Sequence, residues 1–150
     1  MGIFNKKKFK IEKKYLLSEE SAYEEISKIF ERYDFDIEGE ADPEIKKNKE
    51  TIANNLVEFF RLGYLELGED GITIIQKLKY PSPNSEVKTI SYPKFRGKHK
   101  RAMDQYKPEE LQAKAFSLVG SVSGLGVSFF DMLEKYDIKV AEALGMLFLL

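Results

Sequence analysis

The sequence predicts an α+β fold, with N-terminal helices, a small antiparallel β-meander and a C-terminal helical subdomain. Three observations carry that reading. Apolar residues recur at helical spacing across two early segments, two short β-type runs flank a glycine-bounded acidic turn, and helical spacing returns from Pro108 onward. A chain of 150 residues is one domain's worth of polypeptide, and 43% hydrophobic with 13% aromatic residues excludes intrinsic disorder as a description of the whole.

Ser18 followed by Glu19 and Glu20 reads as an N-cap with acids at the positive end of a helix dipole. Ala22, Tyr23, Ile26, Ile29, Phe30 and Tyr33 then recur at helical spacing, which predicts a helix over 19–33. The stretch 34–42 is a polar acidic loop. Asp42-Pro43 supplies a second N-cap with proline in the first turn, and the following helix over 43–62 carries Ile45, Ile52, Leu56, Phe59 and Phe60 on one face. Lys46, Lys47 and Lys49 are expected off that face, and Gly63 suits a left-handed position after the last turn.

Tyr64–Leu67 and Ile72–Leu78 make a hairpin around Gly68-Glu69-Asp70-Gly71, and Glu86–Tyr92 can pair back on 73–78. Lys94–Arg101 reads as a basic connector. A helix from Pro108 to Gly120 follows, then a flexible break over 120–126. Ser128 with Asp131 forms a capping box for a short helix over 129–135, and Asp137 caps a last helix whose shared face is Ile138, Ala141, Leu144, Gly145 and Phe148.

A net charge of −1 hides segregation. Residues 1–14 hold six lysines and one acid (+5), residues 15–76 hold six bases and sixteen acids (−10), residues 77–101 hold eight and one (+7), and residues 102–150 hold four and seven (−3). The basic stretches are suited either to the acidic segment of the same or a neighbouring molecule, or to phosphate. Order alone, with the helix 43–62 followed by the hairpin 64–78 and the basic stretch, also fits a winged-helix nucleic-acid binder.

No cysteine is present and His99 is the one histidine, which removes thiol chemistry, Cys-ligated metal and most histidine catalysis. His99 between Lys98 and Lys100 reads as an exposed linker residue whose protonated form is disfavoured. The glycines 120, 124 and 126 lack a GK[ST] ending, so they read as a helix–helix joint rather than a phosphate loop. The acidic loop from Asp34 has Ile45 where a calcium loop needs its twelfth-position glutamate. No catalytic, cofactor or metal residue is assigned, and no enzyme activity is expected. The longest apolar runs fall far short of the ~20 residues that span a bilayer, so no membrane partner is expected.

From Gly71 onward the pattern is that of a strand running into a proline (Ile74–Pro81), a return strand (Val87–Ile90), a basic stretch and a helix. Leu118–Gly126, Leu133–Val140 and Leu147-Phe148-Leu149 follow. This resembles the Mu-like family of phage tail assembly chaperones over about residues 71–150, with Leu125, Leu133, Asp137 and Phe148 at the matched positions. Position 126 is glycine where that family often has a polar cap, which leaves the capping to Ser128. Beside the chaperone-like hairpin with helices (71–150) that the resemblance covers, the residues themselves mark off a basic arm (1–17) and an N-terminal helical region (18–70), which lie outside it. The resemblance implies a non-enzymatic protein in the cytoplasm of an infected or lysogenic bacterial host. Its partners would be the tape measure protein and the tail tube protein, with self-association and no specific nucleic acid. A structural tail terminator or completion subunit is the further alternative.

Phe129, Phe130, Leu133, Leu147, Phe148, Leu149 and Leu150 are the candidate partner-binding residues, because the chain's end has more apolar residues than one helix face buries. The competing account is a last helix buried on all sides. Lys94, Arg96, Lys98, Lys100 and Arg101 form the candidate basic patch, expected to meet acidic surface such as 19–38.

Overall fold

The computed structural model describes residues 9–150, so the first eight residues of the expected basic arm lie outside the described part. Among these residues, six α-helices and a three-stranded antiparallel sheet pack around one core. Helix α1 (Glu19–Arg32) starts where the Ser18 hydroxyl accepts the Ser21 N–H at 3.1 Å, as its sequence predicts. Helix α2 (Pro43–Leu62) has the bounds read from sequence. The Asp42 carboxylate accepts the N–H groups of Glu44 and Ile45, and Gly63 closes the helix at φ 85°, a conformation that only glycine adopts freely.

Strands β1 (Leu65–Leu67), β2 (Ile74–Lys77) and β3 (Thr89–Tyr92) form the meander in that order. The turn between β1 and β2 is held by Asp70, whose carboxylate accepts from the backbone of Ile72 and Thr73 and from the Thr73 hydroxyl. Those donors, the hydroxyl first, hold its pKa down at about 2. Ile74, Gln76, Ile90, Tyr92 and Leu65 point into the core, while Glu66 and Lys77 pair at 3.2 Å on the outer face. The sheet crosses the expected 70/71 boundary, and the core draws on residues from both sides of it.

Helix α4 (Leu111–Ser123) and helix α6 (Lys135–Leu149) pack against each other, and α6 also lies on α2. Helix α6 is thus buried along nearly its whole length, with Val140, Ala141, Leu144 and Leu147 at or below 2% exposure. Its closest approach is at Gly145, where an added Cβ would lie 2.6 Å from the Ala115 carbonyl oxygen and 2.9 Å from the Ala115 Cβ. Gly145→Ala is therefore expected to destabilise by about 1–3 kcal/mol, the cost of forcing two packed helices apart, despite alanine's better helix propensity. A denaturant midpoint equal to or above that of the parent chain would show that the pair slides apart freely.

Several local expectations are corrected. The helix read from Pro108 begins at Leu111 and runs through Gly120 to Ser123, because Gly120 is a packing glycine rather than a break: a Cβ there would meet the backbone of Gly126 and Val127 at 2.9 Å. The capping box of Ser128 and Asp131 is not made. Helix α5 (Val127–Phe130) starts at Gly126 without a side-chain cap. Asp137 does not cap α6 but sits inside its first turn, fully buried. Lys49 belongs to the buried face of α2, 6% exposed, where it pairs with Glu40 at 2.9 Å, donates to the Asp36 carbonyl and lies over the Phe35 ring. This contact folds the acidic loop back onto α2, and the Lys49 ammonium lowers the Glu40 pKa.

Candidate functional site: apolar groove and basic patch

The segment after β2 is fixed from below by Asp137. Its carboxylate accepts the Lys79 N–H at 2.8 Å and the Tyr80 N–H at 3.0 Å, and its carbonyl accepts Gln76 Nε2 at 3.0 Å. Tyr92 completes the chain by donating its hydroxyl to Gln76 Oε1 at 2.7 Å. Burial raises the Tyr92 phenol pKa, so it acts as a neutral donor. Every one of these buried polar groups has a partner, which is what lets Gln76 and Asp137 sit at 0% exposure in an apolar core.

This anchor holds the β2–β3 connection against the joint between α5 and α6. Between them lies a cleft of about 160 Å³, walled by Leu78, Pro83 and Val87 on one side and by Phe129, Met132 and Leu133 on the other. Met132 is 71% exposed at the rim. Phe129 and Leu133, two of the candidate partner-binding residues, therefore line a surface groove.

The other candidates separate. Phe130, Leu147 and Phe148 are buried in the protein's own core, so they are packing residues with no surface to offer a partner. Phe148 contacts the rings of Tyr33, Phe95 and Tyr92, with centroids 5.2–6.0 Å away. Leu149 and Leu150 are half-buried against the same core. The last helix buries its apolar face against α2 and α4, while Lys135 and Lys139 stay exposed and Glu142 and Met146 are half-buried.

The basic segment is more ordered than a connector. Helix α3 (Gly97–Lys100) runs into a 3-10 turn (Arg101–Met103). His99, read as exposed, is buried at 7% exposure, stacks near Phe95 and places Nδ1 3.0 Å from the Ser121 hydroxyl. Burial first, then Lys98 and Arg96, push its pKa down. The Ser117 hydroxyl donates to the Ala102 carbonyl at 2.6 Å and ties the 3-10 turn to α4. His99 thus nails a short cationic helix to α4, leaving Lys94, Arg96, Lys98, Lys100 and Arg101 exposed. Among the described residues none of the five pairs with a carboxylate, so the expected match to acidic surface at 19–38 is not made within one molecule.

Among the described residues no group of three or more His, Cys, Asp or Glu side chains could hold a metal ion. No helix there is long and apolar enough to cross a membrane. No signal in the sequence marked Met132 as an exposed rim residue, because a methionine in a helical run reads as core; the polar neighbours Ser128, Asp131 and Glu134 were the available hint. Searches of protein-family models, of curated proteins and of solved structures find no match to this chain.

Proposed function

We propose that this chain is a non-enzymatic phage tail assembly chaperone, acting in the cytoplasm of a bacterial host, that holds the tape measure protein, and in turn the tail tube protein, during tail assembly. The observation that carries this reading is the groove of Phe129, Met132 and Leu133 against Leu78, Pro83 and Val87, whose rim leaves a large apolar side chain exposed. Exposed apolar surface of that kind suits an apolar helix face of a partner. It lies within the part of the chain that resembles the chaperone family.

Co-expression with a tape measure protein is expected to raise that protein's soluble fraction, and Met132→Asp is expected to abolish the gain. The Met132 side chain is exposed, so the variant should keep the parent's melting temperature. The exposed, unpaired basic patch favours the second reading, a winged-helix-like nucleic-acid binder. Unchanged tape measure solubility would overturn the chaperone reading. Micromolar duplex binding at ~150 mM salt, lost when the five basic residues become glutamine, would then establish the second.

A further inference from the structure

Beside the groove, and independent of the chaperone reading, three tyrosine rings surround one cation. Lys79 Nζ lies 4.4 Å from the ring centroid of Tyr136, 5.5 Å from Tyr80 and 5.6 Å from Tyr64. Tyr64 and Tyr136 meet edge to face at 5.2 Å, so two walls brace each other. Burial, then Tyr64, push the Tyr136 phenol up to about 12, which keeps the ring neutral.

The occupant holds this cage only in part, because Lys79 is half-buried and its ammonium stays in contact with water. A primary ammonium carries three N–H donors, and among the described residues Lys79 has neither an ion pair nor a side-chain hydrogen bond. Tyrosine faces satisfy charge but offer no lone pairs aimed at three donors. A quaternary ammonium has no N–H donors that need water and covers more of each ring. Room exists for it, since a cavity of about 230 Å³ adjoins the cage, lined by Tyr80, Tyr136, Glu134, Lys135 and Lys139. Lys135 and Lys139 outnumber Glu134 among them, and that net positive charge opposes a bare cationic ligand and favours one that brings its own anion. The Lys79 side chain can leave without disturbing the fold, because the backbone is held by the Asp137 carboxylate through the Lys79 N–H.

We propose that Tyr64, Tyr80 and Tyr136 form a binding site for a zwitterion of the phosphocholine class, with the quaternary ammonium in the cage, the anion on Lys135 and Lys139, and Lys79 as the resident internal competitor.

Phosphocholine titrated into the full chain, followed by tyrosine fluorescence and by ring-proton chemical shifts, is expected to bind saturably. Removing the competitor in Lys79→Ala is expected to tighten binding about tenfold. Tyr136→Leu in that background should abolish it. Lys135→Gln with Lys139→Gln, both at the surface, should weaken phosphocholine while tightening choline, which keeps the test decisive if Tyr136→Leu unfolds. Co-sedimentation with phosphatidylcholine vesicles would assign the headgroup to a lipid, and binding of free phosphocholine alone would assign it to a soluble ligand. No saturable binding to Lys79→Ala, or equal binding by parent and variant, would overturn the proposal.

Discussion

Removing Leu147–Leu150 is expected to lower the stability of the monomer by roughly 3–6 kcal/mol, taking about 1.5–3 kcal/mol for each of the two fully packed side chains. Leu147 is 2% exposed and Phe148 9%. A domain of this size has a total margin of about 5–15 kcal/mol, so the truncated chain should melt roughly 10 °C or more below its parent. The fall should be independent of protein concentration, and light scattering should record no loss of a larger species. Phe148→Ala separates packing from fraying, because it removes one ring that touches Tyr33, Tyr92 and Phe95 while leaving the helix length intact. It is expected to cost about 3–5 kcal/mol. A drop that tracks dissociation of an oligomer would mean the end of α6 is interface after all.

Asp137→Ala should be nearly as severe, at about 3–5 kcal/mol. Each backbone N–H bonded to a carboxylate is worth about 1.5–3 kcal/mol when its acceptor is lost, and Asp137 serves those of both Lys79 and Tyr80. The damage should stay local at first. The connection from Lys79 to Lys88 should lose hydrogen-exchange protection while the β1–β2 ladder keeps its own. Asp137→Asn retains one acceptor oxygen and is expected to recover about half the loss. Chemical denaturation of the three chains checks the order, and an alanine variant as stable as the parent would show that water replaces the carboxylate at no cost.

The features legible in the sequence are those whose cause is local. Asp42-Pro43 and Gly63 bracket α2 because a cap and a left-handed stop act within a turn of themselves, and the hairpin follows from Asp70 and its neighbours in the same way. Lys49, His99 and Asp137 were misread for one shared reason. Each is a polar residue whose burial depends on partners distant in sequence, such as Lys79 for Asp137 and Ser121 for His99. Local pattern reads a lysine as solvated, a histidine between lysines as exposed and an aspartate at a helix start as a cap. Gly120 failed likewise, since a glycine kept for close packing and one that ends a helix look identical until the neighbouring backbone is known. Within the candidate site, Phe129 and Leu133 were legible as apolar excess, while their opposing wall at Leu78, Pro83 and Val87 was not, because nothing in either segment names the other.

Helix α6 touches α2 and α4, and its first turn receives the strand β2 through Gln76. Seen in time rather than space, this arrangement delays closure of the whole core. Gln76 and Asp137 are 61 residues apart, which a ribosome adding 5–20 residues per second covers in roughly 3–12 s. Through most of that interval α2 and all three strands have been made, but α2 lacks the face of α6 it packs against and Gln76 lacks its acceptor. The nascent chain therefore carries an open apolar face for seconds, far longer than the microseconds in which its helices and hairpin form. Until α6 is made, the surface of α2 that it covers stays open to other apolar chains.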